Sequence, residues 1–172
     1  FMSASIHPSP SILLASNSPR RKELLTQLGY VFTSKGSDID ESVNVNESAV
    51  EYVERMAVQK ALVQANDENT VVIGSDTSVV CGDEILGKPK DYDDAKRMLE
   101  MLSGNTHQVL TSIAVVKGAD VSVRVVTTDV TFKTLTDSEI LNYWQTGEPK
   151  DKAGSYGIQG VAGQFVTCIK GS

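Results

Sequence analysis

Ile12-Leu13-Leu14-Ala15 is an unbroken apolar run, followed by the polar turn Ser16-Asn17-Ser18 and then by apolar positions at Leu24, Leu25 and Leu28, closed by Gly29. The run predicts a buried strand over 12–16, and the spacing after it predicts a helix over 19–28. Ser18 is placed as its N-cap and Pro19 as its first residue. Tyr30–Thr33 reads as a second strand. The longest helical pattern covers 47–65, with Val50, Val53, Met56, Ala57 and Ala61 on one stripe. Val71–Gly74 reads as a buried strand ending in Ser75-Asp76-Thr77. Residues 78–81 continue as a strand, and Gly82-Asp83 can turn a hairpin into Ile85-Leu86. Asp91 or Asp93-Asp94 opens a helix over 93–102, with Ala95, Met98, Leu99 and Leu102 inward. Two long β-type runs, 106–117 and 121–134, surround Gly118-Ala119-Asp120. Thr136-Asp137-Ser138-Glu139 is a capping box for a helix over 136–146. The glycine-rich segment 153–160 precedes a last strand over 163–169.

Interleaved strands and helices with two antiparallel hairpins predict an α/β fold, a mixed twisted sheet flanked by helices. Residues 11–172 read as a single domain, with room for two lobes around a cleft in which the 106–134 hairpin dominates one. Residues 1–10 read as a flexible arm. Phe1 before Met2 reads as a vector-derived residue.

Charge narrows the ligands. The 172 residues carry 16 Lys and Arg against 22 Asp and Glu, a net charge of −6. Nucleic acids and anionic membranes favour basic surfaces, so neither is expected as a partner. Against this background Arg20, Arg21 and Lys22 stand together in a first helical turn, where cations oppose the dipole. Free backbone N–H groups beside them would make an anion site, phosphate foremost. A solvated basic turn is the plainer reading. Cys81 and Cys168 have no Cys or His at metal-ligand spacing and read as reduced, buried thiols, which suits the cytoplasm; a disulfide stays open. No apolar run reaches the ~18 residues of a membrane span, and the N-terminus has no signal pattern.

Neither a P-loop nor a Gly-x-Gly-x-x-Gly turn follows the first strand. His7 lies in the arm, and His107, entering a strand, reads as structural. Ser16 and Ser18 lack a neighbouring histidine, against a serine hydrolase. Asp76, at the end of an apolar strand, stands where α/β proteins place ligand groups and can bind metal or activate water. Standing alone it would be a cap or turn residue. Asp38, Asp40 and Glu41 offer hard oxygen ligands, though Asp38 and Asp40 read better as a solvated loop. Lys60 and Lys88, each alone, are snorkelling lysines. Taken together, Arg20, Arg21, Lys60, Lys88, Glu41 and Asp76 form an inventory for hydrolysing a metal-bound polyphosphate.

These residues also resemble a known family. Ser16-Asn17-Ser18-Pro19-Arg20-Arg21-Lys22-Glu23-Leu24-Leu25 is similar to the N-terminal signature of the Maf nucleoside triphosphate pyrophosphatases. The likeness continues through Asp40-Glu41, Arg55-Met56-Ala57, Lys60-Ala61, Gly74-Ser75-Asp76-Thr77, Gly87-Lys88-Pro89, Ser103–Val109, Thr128–Phe132 and Asp151–Gly160. It implies a fold similar to the inosine triphosphate pyrophosphatases. The implied reaction cleaves a nucleoside triphosphate to the monophosphate and pyrophosphate with a divalent cation, Mg²⁺ or Mn²⁺. By the resemblance Asp76 is the catalytic proton acceptor, and Ser16, Arg20, Arg21, Glu41, Lys60 and Lys88 are cleft residues. Their chemistry then suggests that Arg20, Arg21, Lys60 and Lys88, helped by Ser16, hold phosphates and that Glu41 and Asp76 hold the metal. The family is cytoplasmic and often dimeric.

Arg20, Thr77 and Gln159 match the branch acting on dTTP and UTP. The branch acting on 7-methyl-GTP resembles it less here, since it carries Trp, Gln and Glu at those positions. A cationic methylated base suits an aromatic face and a carboxylate, whereas a Gln amide offers both a donor and an acceptor to neutral uracil or thymine. Gln159 is therefore expected to read the base. The family pattern also continues beyond Ser172 into a closing helix, so a C-terminal segment is expected to be missing. A dTTP/UTP pyrophosphatase is thus the leading expectation. The alternatives are a non-catalytic nucleotide- or DNA-binding regulator of cell division and a 7-methyl-GTP pyrophosphatase.

Overall fold

The structure is a computed structural model and describes residues 10–171. The expected arm, including Phe1 and His7, lies outside the described residues except for Pro10. The chain runs β1 (Ser11–Leu14), α1 (Pro19–Gln27), β2 (Thr33–Ser34), α2 (Ala49–Gln64), β3 (Thr70–Cys81) and β4 (Glu84–Leu86). It continues through α3 (Tyr92–Leu102), β5 (Thr106–Lys117), β6 (Asp120–Phe132), α4 (Asp137–Gln145) and β7 (Val166–Gly171), with short 3-10 turns before β7. The strands form one mixed sheet, ordered β2-β1-β3-β5-β6-β7, with β4 paired to β3. β1 is parallel to β2 and β3, as helical crossovers allow, and the β3–β4 and β6–β7 pairs are antiparallel. The α/β class expected from the sequence is the one that forms.

Local chemistry explains the helix boundaries. The Ser18 hydroxyl accepts from the Arg21 N–H at the start of α1. Asp91, rather than Asp93 or Asp94, caps α3 by accepting from the Asp94 N–H at 2.8 Å. The Thr136–Glu139 capping box opens α4 with both reciprocal bonds at 3.1 Å. The inward face of α3 is as expected, with Ala95, Met98, Leu99 and Leu102 buried.

Four expectations shift. The first strand stops at Leu14, so Ala15 and Ser16 belong to the turn. The second forms only at Thr33–Ser34, leaving Tyr30 and Val31 exposed: β-type side chains pair only where a neighbouring strand reaches them. Val50 is exposed on α2, whose buried face is Tyr52, Val53, Met56, Ala57 and Ala61. Residues 161–165 form a 3-10 turn, and the last strand begins at Val166.

The chain divides into two compact units. One comprises residues up to Val43, Glu54–Ser75 and Ile113–Arg124; the other comprises Asn44–Val53, Asp76–Ser112 and the chain from Val125. The first has a small core of Ala15, Ala61, Val72 and Val116. There α2 meets β3 closely: a Cβ on Gly74 would stand 2.1 Å from the Ala57 carbonyl oxygen, so only glycine fits. The second unit has the larger core, around Phe132, Tyr143, Phe165, Leu99 and Leu102. Apolar burial of this kind is the main force holding each unit.

β3 itself is divided by its partners. β1 pairs with it over Thr70–Ile73, and β4 pairs with it over Val79–Cys81. Residues 74–78 pair with neither. Asp76 therefore lies within a continuous strand rather than at a strand end, but at the interruption between two partner strands.

Candidate active site

In the first unit, the turn between β1 and α1 is built by serines. Ser16 is buried, and its hydroxyl accepts from the Ser18 N–H at 3.1 Å and from Arg21 Nη1 at 3.4 Å. With the Arg21 N–H given to Ser18 Oγ and the Lys22 N–H to the Ser18 carbonyl, three of the early donors are already used. Pro19 has none to give. The expected cradle of free backbone amides is therefore mostly spent. What the turn offers an anion is its side chains, with Arg20 exposed and Arg21 half-buried against Ser16.

The same turn is sewn to the chain after β2. Asn17 Oδ1 accepts from the Gly36 N–H at 3.1 Å, the Gly36 carbonyl accepts from Gln64 Nε2 at 2.9 Å, and Ser37 Oγ donates to the Lys60 carbonyl at 2.7 Å. Lys60 is thus held by its backbone, while its ammonium pairs with Glu41 at 2.9 Å. The Lys60 side chain is 14% exposed and that of Glu41 51%, so the ammonium is largely withdrawn and the carboxylate is not. Asp40 accepts from the Ser42 N–H and hydroxyl, which hold its carboxyl below the ordinary range. That makes Asp40 a loop-shaping residue, and Asp38 is exposed, in keeping with a solvated loop. Asn17, Ser37 and Gln64 escaped sequence reasoning because their partners lie 19 to 28 positions away.

In the second unit, Asp76 is buried on β3. Its Oδ2 accepts from Ser78 Oγ at 3.3 Å, and its carbonyl accepts from Ser112 Oγ at 3.5 Å. Thr77 is half-buried, 3.5 Å from the Thr111 hydroxyl. Lys88 is exposed in the turn after β4. The preceding carbonyl, of Gly87, accepts from the Gly154 N–H at 3.1 Å, which ties that turn to the glycine-rich segment. Lys88 also helps, after the stronger hydrogen bond from Lys152, to hold the Asp151 carboxyl low. Gln159 is exposed on the turn closed by the Gly160 N–H and the Gly157 carbonyl.

The structure thus brings Ser16, Arg21, Lys60 and Glu41 into tied local groups in one unit, with Arg20 on the same turn as Ser16 and Arg21. In the other it ties the Lys88 turn to the segment carrying Gln159, with Asp76 and Thr77 on β3. His107 is structural, as its sequence position suggests. It is buried, Nε2 lies 2.5 Å from the Tyr156 hydroxyl, and the ring meets Phe132 edge-on at 5.1 Å. Burial pushes its pKa down to about 4. Cys81 and Cys168 are free thiols, and neither is buried as expected: Cys81 is half-buried and Cys168 exposed.

Residues 11–172 match the profile of a family described as Maf-like protein. A dTTP/UTP pyrophosphatase of Colwellia psychrerythraea is 58% identical over 95% of this chain and 80% of its own length. A dTTP/UTP pyrophosphatase of Vibrio parahaemolyticus is 56% identical over 95% of this chain and 88% of its own. Among solved structures, the Staphylococcus aureus Ham1 protein aligns with a TM-score of 0.51 at 14% identity, covering 90% of each chain. That last likeness is one of fold.

Proposed function

Because the chain belongs to the Maf-like protein family, we infer that it is a nucleoside triphosphate pyrophosphatase acting on dTTP and UTP. The observation that carries the reading is the 56–58% identity to dTTP/UTP pyrophosphatases over 95% of the chain. Arg20, Thr77 and Gln159, the three residues expected to mark that branch, are its finer support.

In the proposed reaction, water adds to a phosphorus of the triphosphate. The anhydride bond breaks, and the products are the monophosphate and pyrophosphate. Asp76 takes the proton from that water, with its carboxylate oriented by the Ser78 hydroxyl. Arg20, Arg21, Lys60 and Lys88 bind the phosphates and offset the charge that gathers on the departing oxygen. Ser16 holds the Arg21 guanidinium in place. Gln159 presents its amide to the edge of uracil or thymine, where an N–H stands between two carbonyls.

The donor set suits a metal carried by the substrate. Among the described residues no three of His, Cys, Asp and Glu gather as a metal site, whereas Mg²⁺ commonly takes one or two carboxylates, waters and substrate phosphates. Glu41 and Asp76 are the carboxylates proposed as metal ligands, and the metal would supply charge neutralisation on the phosphates. Among the described residues, no helix is long and apolar enough to cross a membrane. The cytoplasm, where nucleoside triphosphates are supplied, is the proposed location.

The test is a panel of nucleoside triphosphates with Mg²⁺ or Mn²⁺, scored for monophosphate and pyrophosphate. Preferred turnover of dTTP and UTP is expected. A folded protein that releases no pyrophosphate from any nucleotide sinks the enzyme reading, and a preference for 7-methyl-GTP sinks the branch.

A further inference from the structure

The turn that carries Gln159 is fixed at both ends by side chains that sequence motifs did not single out. The Gly157 N–H donates to the Tyr143 hydroxyl at 3.2 Å. The Val161 N–H donates to Glu148 Oε1 at 3.2 Å. Between these anchors lie Ile158, Gln159 and Gly160. A third bond, between the Tyr156 hydroxyl and His107 Nε2, holds the chain just before them.

The fit beneath the turn is close. A Cβ on Gly160 would fall 1.5 Å from Glu148 Oε1, so the carboxylate lies directly against the backbone. Tyr143 is 1% exposed. Its hydroxyl is kept protonated, well above the ordinary range, by burial first and then by the neighbouring Glu148 carboxylate. Glu148 Oε2 is buried without a hydrogen-bond partner among the described residues. In the fold Glu148 holds the turn: Oε1 accepts from the Val161 N–H, and the carboxylate lies against the Tyr143 hydroxyl. A segment with glycines at 157 and 160 has wide backbone freedom. An amide that must offer its donor and acceptor to particular base atoms needs that freedom removed.

We propose that Tyr143 and Glu148 are positioning residues for Gln159, clamping the two ends of its turn and thereby setting which base the enzyme accepts. The proposal rests on the reading of Gln159 as the base-recognising residue. It assigns no contact with substrate to either residue. It predicts that loosening the clamp acts on nucleotide discrimination rather than on turnover in general.

The experiment measures kcat and KM for UTP and GTP on the intact chain. The variants are Tyr143→Phe, Glu148→Ala, Glu148→Gln, Gln159→Ala and the double variant Tyr143→Phe with Gln159→Ala. Tyr143→Phe and Glu148→Ala are each expected to raise KM for UTP about tenfold with kcat within about threefold, cutting the UTP-to-GTP ratio of kcat/KM about tenfold. Glu148→Gln keeps an acceptor for Val161 and is expected to hold the ratio within about twofold of the parent. In the double variant, Tyr143→Phe is expected to add nothing to the loss caused by Gln159→Ala.

A proportional fall for both nucleotides, with the ratio unchanged, overturns the proposal, because a merely structural role predicts it. If Gln159→Ala shifts the ratio and Tyr143→Phe does not, the clamp alone is wrong. If Gln159→Ala leaves the ratio unmoved, the base-reading role fails and the clamp with it. A parent protein inert on UTP overturns the enzyme reading itself. Tyr143→Phe removes a single oxygen and keeps the test valid even where Glu148→Ala does not fold.

Discussion

The Lys60 ammonium meets the Glu41 carboxylate at 2.9 Å, while the Lys60 carbonyl accepts from the Ser37 hydroxyl at 2.7 Å. Backbone and side chain of one residue are thus both restrained. An ion pair with one exposed partner contributes at most about 1 kcal/mol to stability. Its worth, on the proposed function, is in keeping Lys60 placed for a phosphate and Glu41 placed for the metal that the phosphates carry. Glu41→Gln is therefore expected to shift the melting temperature by under about 4 °C. It should also lower kcat/KM for UTP about tenfold or more. Lys60→Ala should cost about a hundredfold. Thermal melts beside steady-state kinetics check both. Activity and stability falling together would make the pair structural.

Asp76 is buried on β3 at the stretch paired with neither β1 nor β4, and Ser78 donates to its Oδ2. Asp76→Asn keeps the shape and removes the base. Pyrophosphate release at saturating UTP and saturating metal is expected to fall about a thousandfold. Ser78→Ala, which loses only the orienting bond, is expected to cost about tenfold. Retained activity in Asp76→Asn would move the proton acceptor elsewhere.

What was legible in the sequence was local. Ser18, Asp91 and the Thr136–Glu139 pair announce helix starts because a cap satisfies donors within three residues of itself. The Ala95, Met98, Leu99, Leu102 face was readable because one helix period fixes it. Tyr30 and Val31 misled, because strand propensity is realised only against a partner, and β2 finds β1 only from Thr33. Asp76 looked like a strand end because polar residues interrupt the apolar run, yet the backbone continues to Cys81. Of the candidate site, residue types were visible but their supports were not. Asn17 on Gly36, Ser37 on Lys60 and Glu148 on Val161 are long-range pairings that no spacing rule encodes.

The contact of α2 with β3 gives a test of the first unit that is independent of catalysis. Because Gly74 has no room for a Cβ, and the obstructing atom is the backbone oxygen of Ala57, a side chain cannot swing aside to relieve it. Gly74→Ala is expected to destabilise by about 2 kcal/mol or more. Gly87, around which a Cβ meets nothing within 4 Å, provides the comparison. Gly87→Ala should change stability by less than about 1 kcal/mol. Urea midpoints for the two variants check the difference, and equal midpoints would contradict the close approach.

His107 makes a pH prediction whose sign follows from its burial. It is 2% exposed between Phe132 and Tyr156, and its pKa is pushed from 6.5 down to about 4. The unfolded chain therefore binds a proton there between these values, while the folded chain does not. Stability from this residue is complete above pH ~6.5, declines by about 1.4 kcal/mol per pH unit below it, and levels off below pH ~4. The full loss is up to about 3 kcal/mol. Carboxylates held low, such as Asp40 and Asp94, lose their contribution at the acid end of this range and below it. Urea unfolding between pH 7 and pH 4.5 should show stability falling with pH, and His107→Leu should flatten that slope while lowering stability at pH 7. An unchanged slope in the variant would mean that His107 is not the group taking up the proton.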